Sequence, residues 1–171
     1  MLQRSVLTNN LLYDFSQTAI PTDNVDTEYL ATPRRWEISN IFKFMIFIGP
    51  ISSIFDYCTY AVMLYVFNAW TNPPLFQTGW FVESLLTQTL IIHIIRTARI
   101  PFIESRASAA LITTSILICI LGIMLPFTWA GGTLGFTRLP PAYWPILATI
   151  VMSYAVLTHL IKVWFVRRWG M

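Results

Sequence analysis

Residues 107–127 read ASAALITTSILICILGIMLPF, twenty-one positions without a charged side chain. At about 1.5 Å of rise per residue, a helix of this length crosses the roughly 30 Å of hydrocarbon in a bilayer. Three further apolar runs flank it, Phe44 to Phe67, Phe76 to Ile95 and Tyr143 to Val166. Together they predict an all-α polytopic membrane helical bundle with four clear spanning helices. The whole chain, 1–171, then forms a single membrane domain. Composition agrees: 56% of the residues are hydrophobic and 11% charged, and the mean hydropathy is +0.61, far from a soluble domain.

The net charge of +3 does not point to nucleic acid, because the basic residues collect between the runs. Arg34, Arg35 and Lys43 precede the first, Arg96, Arg99 and Arg106 separate the second from the third, and Lys162, Arg167 and Arg168 end the fourth. Arg4 and Arg138 are left for the opposite side. The positive-inside rule therefore places 21–43, 96–106 and the C-terminus in the cytoplasm. Trp70, Trp80, Trp129, Tyr143 and Trp144 gather at the external ends, and Trp164 and Trp169 mark the cytoplasmic boundary, as interfacial aromatic belts do.

Residues 5–20, SVLTNNLLYDFSQTAI, are too short and too polar to insert by hydropathy alone. A cytoplasmic loop after them puts the N-terminus outside, so this segment is expected to be a short fifth membrane helix that crosses only with partners. In the first clear run, Gly49-Pro50 predicts a lost backbone hydrogen bond and a kink. Pro73-Pro74, Gly131-Gly132 and Pro140-Pro141 mark the two external connections as loops.

An ionised carboxylate in hydrocarbon is costly, so acids inside spans face a bundle interior and mark function by default. Three qualify: Asp14, Asp56 and Glu83. Asn10, Asp14 and Thr18 recur every four residues, with Gln17 beside them, which lines one helical stripe with oxygen. Carboxylate and amide oxygens are what hard cations such as Mg²⁺ choose. Glu83, with Ser84, Thr87 and Gln88, makes a second stripe. Asp56 lies about 18 Å into its span. The metal-ligating candidates are Asn10, Asp14 and Glu83; each acid could equally hydrogen-bond a neighbouring helix and hold the bundle together. His93 and His159, near cytoplasmic helix ends, read as interfacial polar residues. Cys58 and Cys119 read as small apolar side chains.

Several functions are excluded. Seven glycines cannot be arranged into a GxxxxGK[ST] or GxGxxG phosphate loop, so this chain holds no ATP site. No His/Cys cluster suits zinc, and no nucleophile has a base nearby.

The stretches NNLLYDFSQTAIPTDNVD, FKFMIFIGPISSIFDYCTY and LFQTGWFVESLLTQTLIIHIIRTARIPFIESRAS, with LPPAYWP and KVWFVRRWG after them, closely resemble the C-terminal membrane region of bacterial magnesium-transporting P-type ATPases. The resemblance implies the sixth helix at 5–20 and the seventh to tenth at 44–67, 76–95, 107–127 and 143–166. It implies a multi-pass protein of the bacterial inner membrane, with Mg²⁺ as the transported ion. Asn10 and Asp14 match the sixth-helix N-x-x-x-D pattern that supplies ion ligands in related pumps. Glu83 matches an eighth-helix acid that contributes in some of them. Asp56 sits in the family-like GPISSIFD stretch without an implied role. The D-K-T-G, T-G-E and fourth-helix proline motifs of such pumps do not occur. The resemblance thus implies a fragment or truncated frame, partnered by the bilayer and by the N-terminal part of a pump. Two other readings stay open: a stand-alone passive or secondary cation transporter, and a structural or regulatory partner of a full-length pump.

Overall fold

The computed structural model describes residues 2–24, 38–97, 101 and 105–169. Arg34, Arg35, Arg99 and the side chains of Lys43 and Trp169, which entered the charge and belt arguments, lie outside the described part. Six α-helices appear in it: α1 (Leu2–Gln17), α2 (Ile38–Ala61), α3 (Pro73–Ile95), α4 (Ala109–Met124), α5 (Trp129–Leu134) and α6 (Tyr143–Trp169). Among the described residues there is no strand, only an isolated bridge between Pro101 and Ser105. Four helical spans are long and apolar enough to cross a membrane: Met45–Val66, Pro73–Ile95, Ala109–Phe127 and Tyr143–Arg168. All four expected spans are therefore present.

α3 is the hub, packing against α1, α2, α4 and α6. It has the lowest hydropathy of the four spans, 1.2, yet 67% of its most apolar window is buried inside the protein, against 22–28% for the others. Its Ser84, Thr87 and Thr89 are buried with it. A polar helix is stable in a bilayer only when its neighbours satisfy its polar groups, so the most polar span takes the middle. The outer helices turn Leu and Ile outward, as with Ile116, Leu117, Ile120 and Leu121 on α4.

Helix starts follow their caps. α3 begins at Pro73, earlier than the apolar run, because Asn72 caps it by accepting from the Leu75 N–H at 3.3 Å. Prolines fit the first turn, where an N–H has no intrahelical partner. Ser108 caps α4 in the same way, accepting from the Leu111 N–H at 3.2 Å. α2 runs through Pro50 as one continuous α-helix, with Gly49 and Pro50 both exposed. It ends in a π-helical segment, Val62–Val66, that carries the fully buried Met63.

The connection at 128–142 between α4 and α6 is more than a loop. Thr128 caps α5 by accepting from the Gly131 N–H, and Gly135 closes it at φ 86°, the left-handed turn that glycine favours. Phe136 and Leu139 then turn inward and join Met63, Phe81, Val82, Leu85 and Ile118 in the core. Phe81 and Phe136 meet at 4.5 Å between ring centroids. Tyr143, at the start of α6, turns into the protein rather than outward. It is fully buried and donates its hydroxyl to the Gly79 carbonyl at 2.8 Å.

Candidate functional site: polar faces of α1 and a carboxyl pair in the bundle

α1 is polar on both sides. Ser5, Asn9 and Ser16 form its buried face against α3 and α4. The Asn9 amide donates to Ser84 Oγ at 3.2 Å, and the Gln88 amide reaches the same oxygen at 2.9 Å. Asn10, Asp14 and Thr18 lie on the opposite, exposed face, next to Leu7, Leu11 and Phe15. The stripe expected from the sequence is thus real as a stripe. It points away from the rest of the chain, and Glu83 is not part of it.

The far end of α1 is tied down by charge. Asp23, just past the 3₁₀ turn Ile20–Thr22, forms an ion pair with Arg96 at the end of α3 and accepts from the Ser108 N–H at 2.7 Å. Arg96 also donates to the carbonyls of Asn24 and Arg106, at 2.9 and 3.2 Å, and to Ser105. Burial pushes the Asp23 carboxyl up, but the hydrogen bond and charge of Arg96 and the N–H groups of Ser108 and Asn24 outweigh it. The carboxyl is held below its ordinary value. Lys162 of α6, 2% exposed, donates to the carbonyls of Ile94 and Thr97 at 3.0 and 3.1 Å. A lysine here satisfies the last carbonyls of α3 and complements its negative helix end. The sequence offered Lys162 and Arg96 only as topology charges; their positions at the very end of spans were the available signal.

Glu83 occupies the middle of the bundle, 1% exposed, and neither carboxyl oxygen has a hydrogen bond of ordinary geometry. Thr87, one turn on, and the Asp56 carboxyl of α2 are its polar neighbours. Asp56 is half-buried and accepts from the Trp80 indole N–H at 3.1 Å. Trp80 thus ties α3 to α2 through its ring N–H. Thr87 directs its hydroxyl to the carbonyls of Glu83 and Ser84, at 3.1 Å each. Asp56 and Glu83, on neighbouring helices, thus lie close enough to influence each other, which local sequence patterning does not reveal. Near the C-terminal end of α3, His93 shares a hydrogen bond with Ser115 of α4 at 2.9 Å. Among the described residues no group of three or more His, Cys, Asp or Glu side chains gathers around one point.

Residues 1–164 match the family described as Cation transporting ATPase, C-terminus. The chain belongs to this family. Curated relatives extend the match to 99% of the chain: a "Magnesium-transporting ATPase, P-type 1" of Salmonella typhimurium strain LT2 is 48% identical over 172 residues, and one of Escherichia coli K12 is 49% identical. A second Salmonella typhimurium LT2 protein of that name is 45% identical. The chain spans 19% of the length of these relatives. As a cation-transporting ATPase C-terminal region it carries membrane helices and none of the phosphate-binding motifs sought above.

Proposed function

We propose that this chain is the C-terminal membrane domain of a magnesium-transporting P-type pump of the bacterial plasma membrane, with its C-terminus in the cytoplasm. The relatives' printed names, at nearly half identity over the whole chain, support the ion and the pump class. The observation that carries the site is the orientation of α1. Its inward face is fastened to α3 by the bonds of Asn9 and by the Asp23–Arg96 pair, and its outward face presents Asn10 and Asp14. A carboxylate and an amide oxygen one turn apart give Mg²⁺ two ligands of the kind it prefers; it commonly keeps water for the rest of its octahedron. Helices from the N-terminal part of the pump would complete the shell, and phosphoryl transfer in that part would drive alternating exposure. The chain contributes a rigid wall and part of the ion site, not ATP hydrolysis.

The test is Asp14→Ala in a complete pump carrying this segment. Even supporting residues around a metal cost about 10- to 100-fold in affinity or activity when removed, so loss of the only charged ligand on α1 should cost at least that in Mg²⁺-stimulated ATPase. Mg²⁺-dependent growth should fail with it. Unchanged growth and ATPase would remove Asp14 from the site.

A further inference from the structure

We propose that Arg96, acting through Asp23, is a positioning residue: it sets the register and rotation of α1, and with them the direction in which Asn10 and Asp14 face. Its bearing on transport rests on the reading of that face as the ion site. In mid-helix, α1 is bonded to α3 through Asn9 and Ser84. A helix held at a single point can turn about it or slide past it, and a slip of one residue turns a side chain by about 100°. Asp23 is the second fastening, so Asn10 and Asp14 lie between two fixed points. The chain leading to it is itself hydrogen-bonded. The N–H groups of Thr18, Thr22 and Asp23 donate to the carbonyls of Phe15, Ala19 and Ile20, at 3.3, 3.0 and 3.0 Å. Ala19 packs there against Ile92, Ala107 and Leu111. A displacement of Asp23 therefore reaches α1 instead of being absorbed by a loop.

Arg96 caps α3 and spreads its guanidinium over two chain segments. On one side Nε donates to Asp23 Oδ2 and a terminal nitrogen to the Asn24 carbonyl at 2.9 Å. On the other, the terminal nitrogens reach the Arg106 carbonyl at 3.2 Å and the carbonyl and hydroxyl of Ser105 at 3.4 and 3.3 Å. The second Asp23 oxygen accepts from the N–H of Ser108, the residue that caps α4, at 2.7 Å. One planar side chain thus joins the end of α1, the end of α3 and the start of α4. The Arg96 side chain is 9% exposed and that of Asp23 13%, so water competes little for these bonds, and removing one partner of such a shielded pair strands the other. Lysine would keep the charge but offers three donors from one point, whereas the guanidinium offers five in a planar fork. Only the fork spans both segments, so position 96 supplies geometry as well as charge.

Mg²⁺ uptake by the complete pump carrying this chain, in cells without other Mg²⁺ uptake, tests the assignment. Arg96→Lys should raise the external Mg²⁺ needed for half-maximal uptake by about tenfold, close to the effect of Arg96→Gln, with maximal uptake per folded pump retained. Lower maximal uptake at an unchanged half-saturating concentration would mean a structural role alone and would overturn the proposal. So would an Arg96→Lys variant that matches the parent. Asp23→Asn should match Arg96→Gln, and the two combined should be no worse than either, since both cut the same tie. Arg96→Lys and Asp23→Asn carry the test if Arg96→Gln does not reach the membrane. A disulfide reads the register of α1 independently of uptake. Asn9→Cys with Ser84→Cys, in a pump stripped of its other cysteines, should close under oxidation, because bridged Cα atoms must stand within about 7 Å. Adding Arg96→Lys should abolish that closure, and equal closure with and without it would overturn the proposal. Asp14→Ala, measured alongside, separates the two readings: unchanged uptake with a disulfide that still depends on Arg96 would remove the ion site and leave the positioning of α1 standing.

Discussion

Gly131 and Gly132 are neighbours in α5, yet their surroundings are opposite. A Cβ built on Gly131 would stand 2.0 Å from the Leu125 carbonyl oxygen and 3.1 Å from Pro126 Cα, both backbone, whereas nothing lies within 4 Å of one on Gly132. Backbone cannot swing aside as a flexible side chain can, so Gly131→Ala forces α5 away from the end of α4. Overpacking of this kind costs typically about 1 to 3 kcal/mol, and here the upper end is expected. Gly132→Ala should be neutral or stabilise by up to about 1 kcal/mol, since alanine is the better helix former. Thermal unfolding of the two variants in one detergent makes the comparison. Equal melting temperatures would mean that α5 does not hold this position against Leu125. The same logic of neighbours governs the polar residues: Asn9 and Asn10 are adjacent in sequence, but one is 2% exposed against Ser84 and the other faces outward.

α1 leans on specific bonds, because Leu7, Leu11 and Phe15 lie on its exposed side and only Leu12 and Tyr13 among its larger apolar residues pack against the core. Its anchor at Asp23 gives a pH dependence whose direction is fixed by the charge. The folded carboxyl is depressed below the ordinary 3.8, so the stabilisation is fully present above that value and disappears as pH falls through the lower folded value. At neutral pH, Asp23→Asn should cost about 1 to 2 kcal/mol, the worth of hydrogen bonds to a charged group. Acidification below pH ~4 should then lower the melting temperature of the parent more than that of the variant. Parallel acid profiles would show that Arg96 gains nothing from the charge of Asp23. The sequence made part of this element legible. Spacing of four revealed the Asn10–Asp14 stripe, but periodicity cannot say which face of a doubly polar helix meets the bundle. Apolar run lengths located the four spans, while Asn72 and Ser108, through their caps, decided where two of them start. α5 escaped notice because Gly131-Gly132 and the prolines around it signal turns. The π-helical end of α2 has no composition cue at all.

The whole molecule inverts the arrangement of a water-soluble core. Its most polar span, α3, is innermost and its most apolar, α4, at hydropathy 2.4, is only 28% buried in its spanning window. Polar contacts between distant segments, Asn9 with Ser84, Asp56 with Trp80 and Glu83, Lys162 with the end of α3, all converge on that central helix. Such contacts are long-range and leave no trace in local patterning, which is why the Asp56–Glu83 pair was illegible while the membrane class was plain. Orientation in the bilayer is a property of this scale too. Arg96, Arg106, Lys162, Arg167 and Arg168 gather at one end of the helices and Arg138 lies at the other, so the end carrying α5 should face outward. With Cys58 and Cys119 replaced by alanine, Thr133→Cys in α5 and Arg168→Cys at the end of α6, both exposed positions, place one thiol at each end. An impermeant maleimide added to spheroplasts should label position 133 at once and position 168 only after permeabilisation. The opposite pattern would invert the topology and place the α5 end in the cytoplasm, on the side where a P-type pump carries its phosphorylated domain.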